Sequence, residues 1–138
     1  MAILSRASLE VRTSDDVVRV RQAVREAAIK AGFGLVDQTR LVTAASELAR
    51  NTVVHGRGGT ATLETLNDMD QTGVRMTFED KGPGIPDVEA ALRDGYTTTD
   101  GLGIGLGGAR RLVTEFSIES APGHGTRVIA TRWTWKRP

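Results

Sequence analysis

The apolar residues of this chain change period in a fixed order, and that order limits the folds open to it. Residues 7–13 alternate, the period of a strand. Val17, Val20, Val24, Ala27 and Ala31 then recur at spacings of three and four, one face of a helix. Ser14-Asp15-Asp16 offers that helix an N-cap and an acidic first turn, and Gly32 ends it. A second stripe runs through Leu41, Ala44, Ala45, Leu48 and Thr52, with Asp37 as the expected cap and Gly56, Gly58 and Gly59 as the stop. Strands are predicted over 60–66 and 73–79 around a polar loop, then a short helix over 86–93. A polar, aperiodic loop over 94–101 precedes a helix over 103–116 with Leu106, Ala109, Leu112 and Val113 inward. A hairpin of 117–121 and 126–135 closes the chain.

The order βααββααββ contains antiparallel hairpins and too few crossovers for a doubly wound parallel sheet. It predicts an α+β two-layer sandwich, a mixed, mainly antiparallel sheet with helices on one face. At 138 residues, with no linker, repeat or low-complexity tract, the chain is expected to form one domain, 1–138.

Composition removes several classes of function. Without cysteine there is no disulfide, thiolate metal site or cysteine nucleophile. A net charge of +1 gives no broad footprint for nucleic acid or an acidic membrane. No apolar run reaches the roughly 18 residues that a bilayer span needs. The first ten residues lack the apolar core of a secretion signal, so the cytoplasm is the expected location.

Three motifs carry chemistry. Glu47 and Asn51 stand four apart on the second helix, and His55 extends the row. The Asn51 carbonyl oxygen is a hard ligand suited to Mg²⁺, and Glu47 can accept a proton from a hydroxyl. Such a pair serves equally on a solvated face. Asp80-Lys81-Gly82-Pro83-Gly84-Ile85 ends a predicted strand. There a carboxylate can accept the amino proton of adenine, and glycines let a flat base approach; an ordinary tight turn would use the same residues. Five of the 16 glycines lie between Gly101 and Gly108, at the start of a predicted helix. Consecutive exposed N–H groups at a helix N-terminus form a phosphate cradle. Gly103, Gly105 and Gly108 also spell G-x-G-x-x-G, but a polar loop precedes them instead of a buried strand. No Gly-Lys-Ser/Thr occurs, so a Walker A loop is excluded.

The order of these motifs resembles the GHKL superfamily: an Asn on an early helix, an Asp-x-Gly-x-Gly turn, then a glycine-rich loop before a late helix. Thr126, within Gly125-Thr126-x-Val128, matches that family's adenine-side threonine. The resemblance implies the Bergerat fold and binding of ATP with Mg²⁺. It places Asp80, Gly82, Gly84 and Ile85 at the base and Thr126 beside it through water. It places Gly101, Leu102, Gly103, Gly105 and Leu106 at the phosphates and Asn51 on the metal, with 94–105 as a mobile lid. Neither histidine, His55 or His124, lies on the first helix, which departs from a histidine kinase.

Glu47-Leu48-x-x-Asn51-x-x-x-His55 resembles the small bacterial serine kinases of partner-switching pathways. The stretches 34–40 and 94–103 look like the stressosome switch kinases among them. This implies Glu47 as the catalytic base and phosphorylation of STAS-domain scaffold or antagonist proteins. Release to activate a PP2C-type phosphatase would follow. An anti-sigma factor with kinase activity is the alternative. One departure is Gly107, where proline is expected, which should loosen the helix start. Ile129, Trp133 and Trp135 share a strand face, for packing under helices or against the first strand, or for a partner. The oligomeric state stays open.

Overall fold

The computed structural model describes residues 1–93 and 105–136. In chain order the elements are β1 (Ala2–Val11), α1 (Ser14–Lys30), α2 (Leu35–Val54), β2 (Gly59–Asp68), β3 (Gln71–Asp80), α3 (Val88–Ala91), α4 (Leu106–Arg111), β4 (Glu115–Ser120) and β5 (Thr126–Trp135). The five strands form one sheet in the order β1-β2-β3-β5-β4, and all four pairings are antiparallel.

Cross-strand register sorts the side chains onto two faces. Leu63, Met76 and Ala130 stand opposite one another, as do Ala61, Phe78 and Val128. These residues form the core with Val20, Val24 and Ala28 of α1 and Leu41, Ala44, Ala45 and Leu48 of α2. Thr52, the last member of the α2 stripe, is also buried and donates to the Leu48 carbonyl at 2.9 Å.

The other face carries a polar row across all five strands: Arg6, Glu64, Arg75, Thr131 and Glu115. Glu64 is buried within it, paired with Arg6 at 2.7 Å and with Arg75 at 2.8 Å. The Arg75 hydrogen bond chiefly holds the Glu64 carboxyl below the usual carboxylate range, against the opposing effect of burial. A depressed native pKa contributes stability above the unfolded value, and that stability is lost as pH falls through the native one. Glu64→Gln should therefore cost about 1–3 kcal/mol at neutral pH and less in acid, as read by urea unfolding at both pH values.

Trp133 lies on this open face, its ring over Gly73, where a Cβ would come within 2.8 Å of Trp133 Cε3. Its Nε1–H donates to Glu115 at 2.7 Å. The tryptophan face therefore packs neither under the helices nor on the first strand, and Trp135 is exposed.

Three local expectations change. Thr13, not Ser14, caps α1, in a capping box with Asp16. Gly34 caps α2, and Asp37 instead docks that helix onto β5, taking Arg132 at 2.6 Å. The helix expected over 103–116 is short among the described residues. The Thr114 N–H bonds the Thr131 carbonyl at 2.8 Å, which turns Phe116 into a strand residue. Gly107 is buried with its backbone against the Leu92 carbonyl, where a Cβ would collide.

Candidate functional site

α2 organises the site because its C-terminal half borders two other segments. Glu47 lies against Gly105, where an added Cβ would sit 2.7 Å from the Glu47 Cδ. The end of the glycine-rich loop therefore meets the carboxylate with no side chain between them. Glu47 also takes Arg50 at 3.3 Å. Asn51 follows one turn on, partly exposed. Its main-chain carbonyl accepts the N–H groups of His55 at 2.9 Å and Gly56 at 3.1 Å.

Beyond Asn51 the chain leaves the helix and touches the Asp80 turn. Gly56 is packed so closely on Asp80 that a Cβ would lie 2.6 Å from the Asp80 Cβ, and closer still to its carboxyl carbon. Gly82 rests on the Gly56 backbone, its own virtual Cβ 2.7 Å from the Gly56 oxygen. Gly56→Ala should cost about 1–3 kcal/mol through overpacking and displace Asp80. Thermal unfolding together with an ATP titration would read both effects.

Asp80 lines a cavity of about 1400 Å³ with Gly56, Gly82, Pro83, Ala121 and Thr126. One carboxylate oxygen accepts the Gly82 N–H at 2.9 Å. Burial raises the Asp80 carboxyl above its usual range, outweighing the Gly82 N–H, the nearby His55 ring and the Thr126 N–H. A half-buried acceptor in a cavity wall suits a ligand that brings its own donor. Ser120, which the sequence did not single out, knits the far wall. Its Oγ accepts the Ile85 N–H at 2.7 Å and bonds Thr126 Oγ1 at 2.8 Å.

The expected site residues fall into distinct places. Asp80, Gly82 and Thr126 share the cavity; Glu47 and Gly105 meet elsewhere along α2. Gly84 adopts φ 77°, the left-handed region open to glycine, with its backbone against Ala121. Ile85 and Leu106 are core residues, buried beneath the turn and the loop. Gly101, Leu102 and Gly103 lie outside the described residues, as does all but the end of the expected lid over 94–105. Lys81 and His124 also line the cavity, His124 in the turn that its position suggested.

The profile of the histidine kinase-, DNA gyrase B- and HSP90-like ATPases matches residues 36–134, spanning α2 to β5. The chain belongs to this GHKL ATPase family. Among GHKL relatives, it is 43% identical over 125 residues to the serine/threonine-protein kinase RsbT of Bacillus subtilis. That alignment covers 91% of this chain and 94% of RsbT. An anti-sigma F factor of Thermoanaerobacter sp. is 32% identical over 96 residues, 66% of each protein. The GHKL fold recurs in the RsbU and RsbW domains of a Mycobacterium tuberculosis protein, with TM-score 0.65 and 22% identity. That match covers 96% of this chain and 33% of the longer one. The catalytic domain of histidine kinase ThkA superposes with TM-score 0.52 at 17% identity, covering 91% and 95%.

The donor set fits a GHKL nucleotide. The cavity offers an acceptor for a base, and α2 carries two hard oxygen donors one turn apart, Glu47 against Gly105 and the Asn51 side chain. Among the described residues no three His, Asp or Glu side chains converge. A divalent ion at Asn51 would thus take most of its ligands from phosphate and water, the habit of Mg²⁺.

Proposed function

We propose that this chain is a protein serine/threonine kinase of a partner-switching pathway, using Mg-ATP to phosphorylate a STAS-domain protein. The observation that carries this reading is the 43% identity to RsbT across 91% of the chain. The site supplies chemistry to match. Glu47 and His55 are eight residues apart, so α2 runs about 12 Å between the two ends of the site. A triphosphate must make the same crossing from its base to its γ-phosphorus.

Asp80 accepts the adenine amino proton, and Gly82 and Gly84 let the ring lie against the backbone. Thr126, held by Ser120, supports the base from the other side through water. Asn51 would hold Mg²⁺, which supplies neutralisation of charge on the phosphate oxygens. The glycine-rich segment 101–105 would supply N–H donors to the phosphates. Glu47 orients the acceptor hydroxyl and takes its proton as the oxygen bonds the γ-phosphorus and the bond to ADP breaks. Most of the rate then comes from positioning and electrostatics, and a modest turnover is expected.

The phosphorylated STAS protein then releases the kinase, which activates a PP2C-type phosphatase. ATP and such partners place the chain in the cytoplasm, acting as one domain built on one core. No helix among the described residues is long and apolar enough to cross a membrane. The similarity to anti-sigma F factors favours a second reading, an anti-sigma factor that phosphorylates its STAS antagonist. Labelled Mg-ATP with a STAS protein, run beside a sigma factor, separates the two. Serine or threonine labelling without sigma binding supports the switch kinase. ATP-dependent sigma binding supports the alternative, and neither result would sink both.

A further inference from the structure

His55 stands between the two ends of this site and bonds the main chain on each side. It is the C-cap of α2, one turn past Asn51 and two past Glu47. Its backbone N–H donates to the main-chain carbonyl of Asn51 at 2.9 Å, as helical geometry requires. Its ring reaches the opposite way, with Nε2 donating to the Gly84 carbonyl at 3.0 Å. The peptide joining Gly84 to Ile85 is therefore held from two sides: α2 takes its carbonyl through His55, and β4 takes its N–H through Ser120 at 2.7 Å.

The remaining ties of this turn run mainly to the hairpin of β4 and β5, including the Gly123 N–H on the Pro83 carbonyl at 2.8 Å. Against the end of α2 the turn makes van der Waals packing on Gly56, through the Gly82 backbone and the Asp80 side chain, a contact at a residue with no side chain of its own. Such a contact sets distance but not direction. A hydrogen bond to the peptide beside it sets both.

The geometry points to His55 as a positioning residue that fixes the base-binding turn against the helix carrying Asn51 and Glu47. Recognition of the base and placement of the phosphate end then form one rigid unit. This role rests on the ATP site proposed above. It needs no contact between His55 and nucleotide. Without the imidazole, the turn keeps its hold on the hairpin but can tilt away from α2 and carry Asp80 with it. Asp80 would then discriminate less well between the amino group of adenine and the carbonyl of guanine.

Two variants test this in the full chain, His55→Ala and His55→Gln; the glutamine amide nitrogen reaches about where Nε2 stands. Amide exchange at Gly82, Gly84 and Ile85 is followed without nucleotide, and Kd is measured for Mg-ATP and Mg-GTP. A neutral hydrogen bond contributes on the order of 0.5–1.5 kcal/mol, so His55→Ala should lower ATP-over-GTP selectivity about two- to tenfold. Exchange at the three amides should quicken by a similar factor, and His55→Gln should restore both. Wild-type exchange and selectivity in His55→Ala would overturn the role. So would a folded His55→Gln that behaves like the alanine variant.

If His55→Ala does not fold, His55→Gln decides alone. Wild-type selectivity in it upholds the hydrogen bond, and lost selectivity removes it. Asp80→Asn separates the two layers of inference. Binding that Asp80→Asn weakens but His55→Ala leaves untouched discards only the role of His55. A wild-type protein that binds neither nucleotide discards the ATP site and this role with it.

Discussion

Asp80→Asn should weaken ATP binding about 10- to 150-fold while leaving the unliganded protein at least as stable as wild type. The two halves of this outcome have one cause. The Asp80 carboxylate offers two oxygens; one takes the Gly82 N–H at 2.9 Å, and its remaining acceptor capacity is what the proposed site gives to the base. Asparagine offers one oxygen, so Gly82 and the adenine amino group compete for it. A hydrogen bond to a charged group contributes about 1.5–3 kcal/mol, which sets the fold-change.

Stability moves the other way because burial raises the Asp80 carboxyl. Between its ordinary and raised values the native state binds more proton than the unfolded state, so stability falls as pH rises through that window. At neutral pH the charged form is the costly one, and asparagine removes that cost. Isothermal titration with Mg-ATP and thermal unfolding without it would read the two effects. In the wild type, ATP affinity should also fall as acid protonates Asp80, because a neutral carboxyl is the weaker acceptor. Unchanged affinity in Asp80→Asn would place the base elsewhere.

Glu47→Ala should leave nucleotide binding nearly intact and reduce phosphotransfer by roughly 10²- to 10⁴-fold, the usual contribution of a general base. Glu47 stands apart from the cavity that holds Asp80, so base recognition does not depend on it. Its place against Gly105 puts it where the glycine loop joins α4. Its pair with Arg50 is exposed on the arginine side, so the fold loses little with it. Single-turnover transfer to a STAS protein, alongside nucleotide titration, separates the two functions. Transfer at the wild-type rate would remove Glu47 from the chemistry. Weakened binding with normal transfer would make it a ligand for the nucleotide instead.

The local plan of this protein was legible in its residues because periodicity is a local property. The stripe Leu41, Ala44, Ala45, Leu48 and Thr52 belongs to one helix face whatever that face meets, and all five are buried. Alternation at Val74, Met76 and Phe78 likewise fixes a buried strand face before any partner is known. The order of Asn51, Asp80 and the glycine cluster is linear information, and it was enough to point to the family.

What tertiary structure decided depends on groups far apart in sequence. β5 lies between β3 and β4, which no hairpin rule requires, since β3 and β5 are joined through two helices and a strand. Asp37 has the composition of a cap, yet Arg132, 95 residues away, claims its carboxylate. The helix after the glycine loop stops early because β5 competes for the Thr114 N–H. Trp133 sits on the open face because β5 turns Val128 and Ala130 toward the helices, which leaves the alternate residues on the other side. Gly56 read as a helix stop and Gly107 as a substitute for proline, but the fold uses each for a backbone approach that excludes a Cβ. The bond from His55 to Gly84 spans 29 residues, and only the folded sheet brings that helix end to that turn. Propensity and spacing act within a few residues, whereas register, edge order and shared hydrogen bonds are settled by which distant groups can be satisfied together.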